Sequence, residues 1–282
     1  MSVYDDTEPI DLSRVNTYEL ASRPSKVTAA DLAKPPAEGD SLADFFAKLP
    51  DVLAVRSMRE VAAAIRRARD LGKPIIWGIG GHVIKTGLSP VLIDLMDRGF
   101  VTALASNGSV LVHDTEMALV GFTSEDVDAT LGSGDFGAAR ETGELLNSAA
   151  KRAAADGIGL GESMGRELAG LAPANAAISL LCSAYAKRLP FTAHLTIGAD
   201  IGHFHASCDG AGLGAASHHD FRLFCTLVQK MDGGGVYINF GSAVTMPEIF
   251  LKAVTVVRNL GHGVNDITTA NFDFIQHYRP MT

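Results

Sequence analysis

Lys73–Gly87 reads KPIIWGIGGHVIKTG, a short apolar run that breaks into glycines. A continuous apolar run, unlike an alternating one, predicts a strand buried on both faces. Gly78, Gly80 and Gly81 predict a glycine-rich loop at its carboxyl end. On the amino side, SMREVAAAIRRARDLG predicts a helix from Ser57, with Ser57 as cap, Glu60 three residues on and Gly72 as stop. On the carboxyl side, LSPVLIDLMDRG predicts a helix closed by Gly99, and FVTALAS the next strand.

The alternation runs on. NGSVLVHDTEMALVG predicts a turn, a short extended piece and the start of a helix. Three helical stretches follow, then the strand FTAHLTIG and a loop dense in Gly, His and Asp, DIGHFHASCDGAGLGAAS. HHDFRLFCTLVQKM predicts a helix, GGGVYINFG a glycine turn and strand, TMPEIFLKAVTVVRNLG a helix and DITTANFDF a last strand. Apolar strands separated by helices predict parallel βαβ units. The expected class is α/β: a doubly wound, mostly parallel Rossmann-like sheet with helices on both faces. Residues 1–45, polar and proline-bearing, are expected to form an arm, and residues 46–282 the domain.

The 282 residues carry a net charge of −8, which excludes a dedicated nucleic-acid or anionic-membrane binder. With no run of about 18 apolar residues, no membrane span is expected. The acidic start MSVYDDTEPIDL lacks a signal's apolar region. Three cysteines, an odd and sparse set, suit a reducing, cytoplasmic setting.

In a parallel sheet the ligand lies outside the carboxyl ends of the strands. Here those ends are WGIGGH, LASNG, TIGADIGHFH, NFGSA and TTANFD. Gly80 and Gly81 are either a ligand-approach loop or a tight turn; the dinucleotide fingerprint GxGxxG is absent. His203, His205, Cys208 and Asp209 have metal-like composition without a second ligand cluster, so no metal is expected. His205 is otherwise an acid–base or a structural histidine. His113, Asp114 and Glu116 join an imidazole to two carboxylates; Asp114 either orients His113 or a substrate amine, or caps a helix. Lys85 lies near the same rim.

Four blocks together resemble the deoxyhypusine synthase family: GGHVIKTGLSPVLIDLMDRGFVTALASNG, PFTAHLTIGADIGHFH, GGGVYINFGSAVTMPEIFLKAV and DITTANFDF. The segment GLSPVLIDLMDRGFVTALASNGSVLVHDTEMALVGFTS is also similar to the ornithine cyclodeaminase-like domain of lysine-ketoglutarate reductase/saccharopine dehydrogenase-related proteins. Both resemblances imply NAD, held for transient oxidation of an amine or amino acid to an imine. They place NAD against Gly80, Gly81, Asn107, Gly108, Asp200, Gly233, Gly234, Thr269 and Asn271, with His113, Asp114, Glu116 and His205 catalytic. The chain carries no Lys or Trp after Ala270, where the synthase family has its nucleophilic lysine, so a reaction other than deoxyhypusine synthesis is implied. A non-catalytic NAD- or metabolite-binding protein, or a metal-dependent hydrolase, are the alternatives. The synthase resemblance also implies a homo-oligomer, a tetramer or dimer.

Overall fold

The computed structural model describes residues 7–273 and 275. The first six residues of the expected arm, Phe274 of the last expected strand and the HYRPMT tail lie outside the described residues. Two compact units divide at residues 59 and 60, later than the expected boundary. In the first unit no residue from 7 to 59 is buried. Its helix α1 (Leu42–Lys48) is held by a capping box between Ser41 and Asp44. Helix α2 (Leu53–Asp70) starts before Ser57 and runs across the division.

In the second unit the elements are β1 (Ile75–Ile79), α3 (His82–Lys85), α4 (Ser89–Asp97), β2 (Ala103–Asn107), α5 (Gly108–Val120), α6 (Val127–Thr130), α7 (Arg140–Asp156), α8 (Leu160–Gly170), α9 (Leu180–Ala186), β3 (Phe191–His194), α10 (Gly210–Gln229), β4 (Gly235–Phe240), α11 (Thr245–Asn259) and β5 (Ile267–Phe272). All pairings are parallel, in the order β3-β2-β1-β4-β5. The order reverses between β1 and β4, which makes their carboxyl ends the switch point of a doubly wound sheet.

Alternate residues of each strand serve opposite layers. Leu104, Phe191 and Ala193 pack under α4, α5 and α7–α9. Ala103, Ala105 and Tyr237 pack under α10 and α11. Ile75, Val236 and Ile238 meet Ala64 and Ala68 of α2. Fully burying such an aliphatic side chain stabilises the fold by about 1.5–3 kcal/mol. The free edge of β3 is closed by α10 side chains: Ala193 N–H donates to Asp220 Oδ2 (2.8 Å), and Ser217 Oγ accepts from Leu195 N–H (3.0 Å) and donates to the Ala193 carbonyl (3.1 Å). An edge saturated in this way offers no template for a further strand.

Candidate active site at the carboxyl rim

The stretch expected to be a turn and an extended piece is instead helix α5, which starts directly at Gly108. The helical period decides where its polar residues go. His113 and Glu116, three apart, share one face, while Asp114 lies about 100° round from His113. Asp114 is fully buried; it accepts from Ser179 Oγ (2.6 Å), Leu180 N–H (2.8 Å) and Leu181 N–H (2.9 Å), and so caps α9. The structure thus turns Asp114 away from the rim, in the helix-capping arrangement that was one of its two expected readings.

His113 and Glu116 line a cleft of about 210 Å³ together with Lys85, Ser109, Glu125 and Asp200. Thr123 stands between the first two. His113 Nδ1 lies 2.8 Å from Thr123 Oγ1, and that hydroxyl donates to Glu116 Oε2 through a short bond. Thr142 Oγ1 of α7 donates to the other oxygen, Glu116 Oε1 (3.1 Å). Burial, then the charges of Lys85 and His82, push His113 down to about 4, so its ring is neutral at neutral pH. Thr123 arrives because Gly121, at φ 80°, ends α5 in the left-handed conformation and folds the chain back over the helix. Ser124 then adopts φ 72°, a region costing roughly 1–3 kcal/mol for a residue with a side chain.

At the start of α5 the Asn107 side chain makes no capping bond to the helix; its Oδ1 accepts from Ser109 Oγ (2.8 Å). The Asp200 carboxylate occupies the space over Gly108, where a Cβ would sit 2.3 Å from Asp200 Cγ. Burial pushes the Asp200 carboxyl up, against a hydrogen bond from Thr196 N–H and the nearby His203. Asn147 Nδ2 holds this loop by donating to the Gly202 carbonyl and to Ser207 Oγ, both at 3.0 Å. At the switch point Gly80 and Gly241 cross so closely that a Cβ on Gly80 would lie 2.1 Å from the Gly241 carbonyl oxygen. Gly81 packs on Ser109 and His113.

The structure therefore gathers Gly80, Gly81, Asn107, Gly108, His113, Glu116 and Asp200 around the ends of β1, β2 and β3. Five expected residues, His205, Gly233, Gly234, Thr269 and Asn271, do not line this cleft. His205 Nε2 bonds the Gly137 carbonyl (3.0 Å) and its ring stacks on Phe204, outside the cleft lining. Gly233 and Gly234 precede β4, at the amino end of the sheet, where Gly234 N–H donates to the Asp266 carbonyl (2.7 Å). Thr269 lies mid-strand in β5, and Asn271 at its carboxyl end accepts from Asn239 Nδ2. Asp209 caps α10, and no group of three metal-binding side chains occurs among the described residues. No helix among them is long and apolar enough to cross a membrane. Sequence reasoning missed Thr123, Thr142 and Asn147; the Gly121 stop was the one local sign of the first.

No family model matches the chain. It is 35% identical over 91 residues to the bifunctional arginine dihydrolase/ornithine cyclodeaminase ArgZ of Synechocystis, and 33% identical over 91 residues to its counterpart AgrE of Nostoc. Each match spans 32% of this chain and 13% of the relative. Among solved structures, AgrE in ternary complex with ornithine and NAD+ is similar with a TM-score of 0.46 at 18% identity, over 76% of this chain and 30% of that one.

Proposed function

We propose that the protein is an NAD-dependent enzyme that oxidises an amino-acid substrate at its amine-bearing carbon, with His113 as the proton acceptor. The observation that carries this is the neutral His113 ring in a cleft at the carboxyl rim, beside the uncapped start of α5. The local likeness to proteins named for ornithine cyclodeamination supports an amine substrate, and AgrE itself is solved with ornithine and NAD+.

The residues present fit a dinucleotide. The first-turn amides of α5 and Lys85 are donors suited to phosphate. The Asp200 carboxylate, lodged over Gly108, is an acceptor suited to ribose hydroxyls. At about 210 Å³ the cleft is below the roughly 300–1,000 Å³ of pockets that enclose a whole drug-sized ligand, so it takes an amino acid or one end of the dinucleotide. When bound, NAD supplies the hydride acceptor. His113 takes the proton released from the substrate amine; Glu116, already engaged by two threonines, stands behind it. Purified protein is mixed with NAD+ and L-ornithine, L-arginine or other basic amino acids, and NADH absorbance is followed. NADH formation with one of them, lost in His113→Ala, is the expected result. NAD binding without turnover on any amine overturns the catalytic assignment.

We also propose a homo-oligomer. Ile10, Leu12, Tyr18, Leu20 and Leu32 of the first unit are each more than 60% exposed, and association would cover them. Light scattering showing a monomer at micromolar concentration contradicts it.

A further inference from the structure

Thr123 carries one hydroxyl hydrogen, and that hydrogen is committed to Glu116 Oε2. The 2.8 Å contact to His113 Nδ1 then has a single consistent assignment: Nδ1–H donates and Thr123 Oγ1 accepts. With Nδ1 holding the ring proton, Nε2 carries the lone pair. The Nε2 edge of the ring includes Cδ2, which lies 3.0 Å from the place a Cβ would take on Gly81, beside Ser109 of the cleft lining. We propose that Thr123 is the positioning residue of this site: with Glu116 behind it and Thr142 steadying Glu116, it fixes the His113 tautomer that presents a bare Nε2 to the cleft. The role for Nε2 rests on the proposed function; the tautomer does not.

Three features meet at this one residue. Glu116 receives a hydroxyl on each oxygen, from the 121–124 loop and from α7, so its carboxylate cannot rotate to bond His113 directly. The loop is held over α5 by two successive left-handed turns, at Gly121 and Ser124; the second is a strained conformation for a serine. Phe122, between them, is 72% exposed, so apolar burial of that side chain does not explain why the loop folds back. The proton count closes. When Nε2 takes a proton a new N–H bond forms there, Nδ1–H stays in place, and the imidazolium's positive charge faces Thr123 Oγ1 with the Glu116 charge one hydroxyl away. No proton leaves Thr123 or Glu116. The other charged groups about the ring are Lys85 and His82 of α3, which oppose the imidazolium, with Glu125 and Asp200 across the cleft.

The test reads the tautomer directly, by nitrogen-15 NMR of the His113 ring in the full-length protein at neutral pH without ligand. The expected spectrum shows Nδ1 protonated and Nε2 bare. Thr123→Val should move both nitrogens toward a mixed tautomer, and Thr123→Ser should restore the parent spectrum. A wild-type ring protonated at Nε2, or a Thr123→Val spectrum identical to the parent, overturns the proposal. Glu116→Gln guards against loss of fold in the valine variant. It keeps an acceptor but drops the charge, so the ring's titration midpoint should fall; an unchanged or raised midpoint also overturns the proposal. In NADH formation Thr123→Val should lower kcat by roughly 10- to 100-fold at constant KM, the scale on which outer partners of a functional histidine act. A residue that only pinned the loop would lower the melting temperature and leave the tautomer as it was. If wild-type protein forms no NADH with any amine, the proposed function fails while the NMR result still decides the role of Thr123.

Discussion

Replacing Asp114 by alanine separates a structural carboxylate from a substrate-binding one. The change removes the acceptor of three donors, Ser179 Oγ and the Leu180 and Leu181 amides, all in buried surroundings. Each orphaned donor costs about 1–3 kcal/mol. Part is returned, because burial pushes the Asp114 carboxyl up and its desolvation penalty disappears with it. The balance is a loss of about 3–5 kcal/mol, above the 0.5–2 kcal/mol of an ordinary exposed cap. For a unit the size of residues 60–282, at roughly 2–4 °C per kcal/mol, the melting temperature should fall by about 6–20 °C. Calorimetric melts of the parent, Asp114→Ala and His113→Ala in one buffer, followed by NAD titration well below each melt, read both effects. Asp114→Ala should melt far below the others and bind NAD like the parent. A parent-like melt combined with lost affinity would refute the assignment and return Asp114 to the site.

Three further outcomes follow from the same geometry. His113→Ala should slow NADH formation by roughly 100- to 10,000-fold with NAD affinity intact, as stopped-flow kinetics and calorimetry will show. Burial pushes Asp220 up to about 7, so the folded state binds more protons than the unfolded state between about pH 4 and 7; stability should be full below that window and decline as pH rises through 7. Asp220→Asn, which keeps an acceptor for Gly161 and Ala193, should flatten this decline in melts taken from pH 5 to 8. Gly234→Val, at φ 111° beside Leu71 at the amino end of the sheet, should lower the melting temperature and leave NAD affinity unchanged; lost affinity in a folded variant would mean that this loop reaches the cofactor.

Much of the fold was legible because buried parallel strands have a plain signature. IIWGI is a continuous apolar run between helices, FTAH and VYINF are short runs with polar residues among the apolar ones, and each becomes a strand. The site was legible only as a neighbourhood. His113, Asp114 and Glu116 were expected near a strand end and lie there, but helix α5 begins without the spacer the sequence suggested, because Asn107 and Gly108 enter it directly from β2. That one difference rotates Asp114 into the core and leaves His113 and Glu116 on the cleft. Thr123, Thr142 and Asn147 act across separations of 10, 26 and 55 residues from their partners His113, Glu116 and Gly202, and no local pattern announces such contacts. Gly233 and Gly234 were expected before a strand and lie there, at the amino end of the sheet; only the resemblance tied them to a cofactor. Here the left-handed backbone serves the entry to β4.

The central claim is that the rim over α5 holds NAD, and calorimetric titration of NAD+ into wild-type protein and into Gly108→Ala tests it most directly. The added methyl carbon would lie 2.3 Å from Asp200 Cγ and must expel that carboxylate from the helix start. The account predicts saturable binding of one NAD+ per chain by wild type and at least a tenfold loss in Gly108→Ala, equivalent to about 1.4 kcal/mol. Absence of binding by wild type, or equal affinity in the two proteins with the variant folded, would contradict it.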